Sequence, residues 1–130
     1  MILYIDGISF SYGSYPVLNG VNMKVEPGQV VSIVGPNGSG KSTLMRCLTR
    51  ILKPQKGKVF LDGREISRIN SRELAKLMGY VPQSVGEAFS YTVLETVLLG
   101  RKPRMDWSVG DQDLEKVAQV LEFMDLEILA

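Results

Sequence analysis

The sequence contains no histidine and only one cysteine, Cys47. The absence of histidine excludes a Ser-His-Asp triad and a Cys-His dyad, and it argues strongly against a typical zinc site. A single cysteine forms no disulfide within the chain, so a reducing compartment fits. The apolar neighbours of Cys47 predict that it is a small core residue rather than a nucleophile.

Long hydrophobic runs are also missing. No apolar run approaches the roughly 20 residues that span a bilayer, and the N-terminal MILYIDG lacks the basic start of a signal peptide. We therefore expect the chain to be cytoplasmic, or peripheral on the cytosolic face of a membrane partner.

A clustered basic surface is the third absence. The net charge is +1 over 130 residues, and the acidic residues concentrate in the last 20 positions. A nucleic-acid-binding chain would show a basic stripe, so no nucleic acid partner is expected. The basic patch of Arg101, Lys102 and Arg104 is interpreted as a solvated loop.

Glycine, by contrast, is abundant. Its 13 copies in 130 residues exceed the usual share of about 7%, and Gly35, Gly38 and Gly40 fall within six positions. The length is that of one modest domain. The hydrophobic share of 45% and the charged share of 22% are typical of a folded, soluble protein.

Local sequence patterns predict strands up to residue 35 and the first helix from Lys41 onward. Predicted strands cover 2–5, 8–12, 21–26 and 30–35, with turns at 6–7, 13–14, 19–20 and 27–28. The run VVSIV is typical of a strand that is buried on both faces of a parallel sheet. A helix should run from Lys41 to the Lys53-Pro54 pair, followed by a strand over 58–63.

The second half alternates short elements. Ser71 is expected to cap a short helix, and a short strand should cover 80–83. Thr92 and Glu95 have capping-box spacing and predict a helix through Leu99 that ends at Gly100. Residues 111–124 predict an amphipathic helix. Its apolar face would comprise Leu114, Val117, Ala118, Leu121 and Met124.

Residues 35–42 match the phosphate-binding pattern G-x-x-x-x-G-K-[ST]. Backbone N–H groups at a helix N-terminus converge on a phosphate, and glycine permits the close approach. Lys41 can reach β- and γ-phosphate oxygens, and the Ser42 hydroxyl can bind a phosphate-bound Mg²⁺. The predicted cradle consists of Gly35, Pro36, Asn37, Gly38, Ser39, Gly40, Lys41, Ser42 and Thr43.

With these flanking elements, residues 17–63 resemble the ATP-binding domain of ABC transporters. Pro54, Gly57, Val59 and Gly63 match the element that follows the P-loop helix in that family. The resemblance implies an α/β P-loop NTPase fold of the ABC ATPase type, with an N-terminal antiparallel β-subdomain and an incomplete core sheet. It also implies that Tyr12, within F-x-Y-G, stacks on adenine, with Tyr15 as the less favoured alternative.

The same resemblance places the start of the Q-loop at Gln83, the end of GYVPQ. In the family this glutamine contacts Mg²⁺ and the region of the attacking water, and its amide oxygen suits both tasks. Ala88, Phe89 and Tyr91 would then either face a coupling helix of the membrane subunit or pack in a core. The implied catalytic residues are Lys41 and Gln83, the implied metal ligands Ser42 and Gln83, and the cofactors ATP and Mg²⁺.

The segment from Leu98 resembles ATPases that serve importers of iron-siderophore complexes, haem or cobalamin, although Arg104 stands where those relatives often have an aromatic residue or histidine. The sequence lacks the LSGGQ signature, the second aspartate motif, its following glutamate and the switch histidine. We therefore expect residues 1–130 to form the N-terminal part of one nucleotide-binding domain: β-subdomain, P-loop core, Q-loop and start of the helical subdomain.

The complete subunit would work as a head-to-tail dimer with transmembrane permease subunits. The 130 residues are expected to bind ATP weakly without turnover. Folded alone, they are expected either to self-associate through an exposed sheet edge or to rearrange. Two alternatives remain: a small P-loop kinase or GTPase-like protein, and a non-enzymatic nucleotide-binding module.

Overall fold

The computed structural model describes residues 1–83 and 91–126. It separates into two compact units, Met1–Tyr80 and Val81–Ala130, and each is described by itself. Among the described residues, no helix combines the length and the apolar character needed to cross a membrane.

An antiparallel sheet of four strands forms the first unit, in the order β2-β1-β3-β4. The strands are β1 (Leu3–Tyr12), β2 (Tyr15–Val25), β3 (Lys56–Leu61) and β4 (Arg64–Glu65). The predicted turn at 13–14 joins β1 to β2, and Gly13 adopts the positive φ of 56° that this tight connection uses. The predicted β-subdomain is therefore confirmed.

Two predicted turns lie instead inside long strands. Asp6-Gly7 belongs to β1 and Asn19-Gly20 belongs to β2, and the pairing register shifts at both places. The Asn22 side chain holds this irregularity together: its Oδ1 accepts from Gly7 N at 2.9 Å and its Nδ2 donates to Gly20 O at 2.7 Å. The turn-forming residues thus produce β-bulges, because the side-chain amide supplies the missing ladder bonds.

Helix α1 (Lys41–Leu48) contributes to the core of this unit. Ile5, Ile8 and Cys47 are fully buried, which confirms the core role of Cys47, and burial raises the pKa of its thiol. The helix stops five residues before the predicted end. Arg50 has a φ of 60°, which breaks the helical path, and its Nη1 donates to Ile66 O at 2.9 Å.

A short 3₁₀ helix (Ile66–Arg68) and helix α2 (Ser71–Leu77) complete the first unit. Asn70, rather than the predicted Ser71, caps α2: the Asn70 side chain accepts from Arg72 N at 2.8 Å. Asparagine and serine are both favoured at the N-cap, and the predicted cap differs from the observed one by a single residue.

The predicted strands over 30–35 and 80–83 are wrong: neither segment is a strand. Val30 is 96% exposed and Val34 89% exposed, so the apolar run is not buried on two faces. A strand of this type requires sheet neighbours on both edges, and the described residues offer no strand that pairs with it. The structure therefore agrees with an incomplete core sheet.

The second unit contains helices α3 (Val93–Leu99) and α4 (Asp111–Phe123), which contact each other. The capping box of α3 is confirmed, since Glu95 N donates to Thr92 Oγ1 at 3.2 Å and Thr92 N donates to Glu95 Oε2 at 2.8 Å. On α4, the predicted apolar face narrows to Val117 and Leu121, since Leu114, Ala118 and Met124 are exposed.

Arg101 differs from the predicted solvated loop. Its Nη2 lies 2.9 Å from Oδ1 of Asp113, a carboxylate that is buried in the first turn of α4. Gly110 N donates to the other oxygen of Asp113 at 3.3 Å. Arg101 is thus a structural residue that fixes the start of α4.

Candidate functional site

The loop that precedes α1 has glycine at positions where a side chain would be crowded. A Cβ on Gly35 would lie 2.8 Å from Ser39 Oγ, and one on Gly40 would lie 3.1 Å from the Val17 carbonyl oxygen. Gly38 and Gly40 also have positive φ values of 81° and 92°. This sequence therefore turns sharply and starts the helix close to strand β2.

The N-terminus of α1 presents unpaired donors. Gly40 precedes the helix without a side-chain cap, and the first turn contains no acidic residue. Leu44 N donates to Gly40 O at 2.8 Å, but the preceding amides of Lys41, Ser42 and Thr43 have no acceptor among the described residues. These three N–H groups, which have no acceptor in the described part of the chain, and the positive end of the helix dipole favour an anion here.

The ammonium group of Lys41 folds back over the loop. Its Nζ donates to Gly35 O at 2.8 Å and to Pro36 O at 2.7 Å. An ammonium has three N–H donors, so one remains for a further oxygen. The loop carbonyls thus hold a positive charge at the mouth of the predicted phosphate cradle.

The next two residues of α1 divide between surface and core. Ser42 is exposed, whereas Thr43 is only 8% exposed. Among the described residues, no cluster of three His, Cys, Asp or Glu side chains could hold a metal ion. Mg²⁺ commonly binds through one or two protein oxygens together with nucleotide phosphates and water. A single Ser42 hydroxyl fits that kind of site and not an all-protein cage.

Tyr12 lies at the last position of β1, and the residue is 48% exposed. The ring contacts Phe10 edge to face, with centroids 4.9 Å apart. Tyr15 lies directly across the turn from Tyr12 and is 72% exposed. Tyr12 is thus packed against Phe10 while nearly half of its surface is available to a ligand.

Arg46 is a residue that the sequence analysis missed. The nearby phenol groups of Tyr80 and Tyr12 raise the pKa of its guanidinium above the usual value. Arg46 lies four residues after Ser42, on the same helix face. This spacing is the one signal in the sequence that could have linked it to the site. Arg46, on α1, is thus close enough to Tyr12, at the end of β1, to feel its electrostatic influence.

Tyr12 and residues 35–43 both belong to the first unit, and their joint role in one site stays a prediction. Gln83 belongs to the second unit and is exposed, so its role stays a prediction. Ala88 and Phe89 lie outside the described residues. Tyr91 is 53% exposed, which does not support the core-packing alternative for this position.

Comparisons with known proteins agree on one family. The family model described as ABC transporter matches residues 18–130. An uncharacterised ABC transporter ATP-binding protein of Methanocaldococcus jannaschii is 47% identical over 127 residues, which are 98% of this chain and 50% of that protein. A hemin import ATP-binding protein of Myxococcus xanthus is 37% identical over 130 residues, covering 100% of this chain and 49% of the relative.

Solved structures give the same result for the fold. The crystal structure of a nucleotide-free ATP-binding cassette from an ABC transporter superposes with a TM-score of 0.77 at 32% identity, covering 98% of this chain and 55% of that one. An inward-facing structure of a putative metal-chelate type ABC transporter gives a TM-score of 0.74 at 26% identity, covering 98% of this chain and 47% of that one. The chain thus spans about half the length of these relatives.

Proposed function

Since this chain belongs to the ABC transporter ATPase family, we propose that it binds Mg-ATP through residues 35–43 and Tyr12. The observation that carries the proposal is the start of α1, where three amides without acceptors among the described residues lie beside the Lys41 ammonium. A triphosphate supplies the negative oxygens that this arrangement lacks.

The phosphate end is held by charge and the base end by stacking. Backbone amides and Lys41 bind the β- and γ-phosphates, and Ser42 binds the Mg²⁺ that the phosphates carry. The adenine stacks on Tyr12, a half-exposed residue whose ring packs edge to face with Phe10. Magnesium neutralises phosphate charge when it is bound, and the residues of this chain position the nucleotide.

Turnover is proposed for the whole subunit and not for these 130 residues. Hydrolysis requires a group that orients or activates water. Gln83 can orient water through its amide, but an amide takes up no proton. We therefore expect steady-state hydrolysis by these residues to be negligible. We also expect their ATP binding to be weak.

In the complete protein, ATP hydrolysis would drive import of a metal chelate or cobalamin-like solute. Relatives named as hemin import and petrobactin import ATP-binding proteins support this direction. The subunit would act as a head-to-tail dimer beside transmembrane permease subunits, on the cytosolic face of the membrane. Substrate choice would reside in those partners.

The exposed segment around Val30, Val31 and Val34 supports a further partner proposal. Its backbone lies outside the sheet and its apolar side chains face solvent, which favours pairing with another copy of the chain. Light scattering should show self-association that increases with concentration. A clean monomer that still binds ATP would contradict this proposal.

Two tyrosines provide a matched test of nucleotide binding. Tyr12→Ala should weaken ATP binding about five- to hundredfold, the scale of one stacked base. Tyr15→Ala removes an equally large ring from the same hairpin and should leave the affinity within about twofold. Isothermal titration measures both, and a phosphate-release assay checks for turnover. Equal effects of the two substitutions on ATP affinity would contradict a specific role of Tyr12 in binding adenine.

A further inference from the structure

The side chain of Gln55 completes the sheet where its backbone ends. The backbone pairing of β1 with β3 reaches Ser9 and Lys56, and Gln55 N then donates to Ser9 O at 3.0 Å. The preceding residue is Pro54, which has no N–H to continue the ladder. Before Gln55, the main chain that leads into β3 forms no backbone hydrogen bond with the last residues of β1.

A side-chain amide takes over the next ladder position. Gln55 Oε1 accepts from Ser11 N at 2.8 Å, and Gln55 Nε2 donates to Ser11 O at 2.9 Å. In an antiparallel ladder the peptide groups of the opposing strand would satisfy both Ser11 atoms. The carboxamide carries the same donor and acceptor, so Gln55 acts as one further strand residue.

The two hydrogen bonds between Gln55 and Ser11 lie one residue before Tyr12. On the other edge, Tyr12 pairs with Tyr15, the residue at which β2 begins. The end of β1 is thus held on one side by the first residue of a strand and on the other by the Gln55 side chain. Without Gln55, this end of the strand would keep a neighbour on one edge only, as a frayed strand end does.

We infer that Gln55 is a positioning residue for ATP binding: its amide fixes the end of β1 and thereby presents the Tyr12 ring to adenine. The inference rests on the proposed function. A ring that is fixed before binding loses less conformational freedom when the base stacks on it. Among the described residues, Gln55 forms hydrogen bonds with Ser9 and Ser11 and with none of residues 35–43, so its effect on binding should be confined to the base.

The first experiment compares two ligands and two variants. Gln55→Ala should weaken ATP binding about three- to tenfold, the scale of one or two exposed hydrogen bonds, and leave tripolyphosphate binding unchanged. Asn22→Ala is the matched control. It also removes a side-chain amide that bonds one backbone N–H and one backbone carbonyl, those of Gly7 in β1 and Gly20 in β2, and it should leave both affinities unchanged.

A double-mutant comparison tests the route of the effect. If Gln55 acts through Tyr12, Gln55→Ala should cause no additional loss of ATP affinity in a Tyr12→Ala background. An equal loss in both backgrounds, or a parallel loss of tripolyphosphate affinity, would overturn the inference. Unchanged ATP binding by Gln55→Ala would overturn it as well.

A measurement without nucleotide separates this inference from the proposed function. The Phe10 and Tyr12 rings lie close enough for a nuclear Overhauser effect, which Gln55→Ala should weaken and Asn22→Ala should preserve. An unchanged signal in Gln55→Ala contradicts the positioning role even if the chain binds no ATP. If the alanine variant fails to fold, Gln55→Glu takes its place. This variant keeps the side-chain length and the acceptor but loses the donor, so it should weaken the nuclear Overhauser effect by an intermediate amount.

Discussion

Gly57 is the position at which the sheet tolerates a side chain least. It lies in β3 opposite the irregular pairing of β1, and a Cβ there would lie 2.4 Å from Asp6 O, Gly7 C and Gly7 O. Its φ is 82°, in the left-handed region. Gly57→Ala should cost about 1–2 kcal/mol for this conformation and a further 1–3 kcal/mol because the backbone of β1 must move. We expect a total loss of about 2–5 kcal/mol in the free energy of unfolding.

Gly63→Ala is the matched control, since Gly63 has a φ of 77° but nothing within 4 Å of its added Cβ. It should show the conformational cost alone, about 1–2 kcal/mol. Urea denaturation followed by far-UV circular dichroism gives both values. If Gly57→Ala destabilises the protein no more than Gly63→Ala, the close approach of β1 and β3 is not what requires glycine.

Three further predictions concern groups outside the nucleotide site. Asp113→Ala should lower the stability of the second unit by about 1.5–3 kcal/mol in thermal denaturation, because the Arg101 guanidinium loses its charged partner; Asp111→Ala is the control and should have little effect. Cys47 should react slowly with a thiol reagent until the protein unfolds, because it is buried and its pKa is raised; fast reaction in the folded state would contradict its burial. Since its folded pKa lies above the ordinary 9.0, the free energy of unfolding should fall as the pH rises above about 9, where the unfolded thiol ionises first, and a Cys47→Ala variant should fall less steeply.

Features that depend on neighbouring residues could be predicted from the sequence. The capping box of Thr92 and Glu95 formed as predicted, because both partners lie within one helical turn. The phosphate-binding loop followed from the spacing of Gly35, Gly40 and Lys41, and the structure places α1 directly after it. Short-range chemistry determines these elements, so the rest of the chain has little influence on them.

Features that depend on residues far apart in the sequence could not be predicted from it. The run at 30–34 has the composition of a buried strand, yet Val30 and Val34 are exposed because composition does not supply the strands that would pair with it. Gln55 and Ser11 are separated by 44 residues, and no local pattern indicates that a side chain replaces a backbone there. The partnership of Arg101 with Asp113 was missed for the same reason, since the basic patch alone resembles a solvated loop.

The central claim is that α1 and its preceding loop bind the triphosphate of ATP, and Lys41 tests it most directly. Isothermal titration of Mg-ATP should show Lys41→Ala binding about ten- to hundredfold more weakly than the unmodified chain, the scale of a lost charged hydrogen bond. Lys24→Ala removes the same charge from an exposed ion pair with Glu26 and should bind ATP with unchanged affinity. Equal ATP affinity of Lys41→Ala and the unmodified chain would contradict the account.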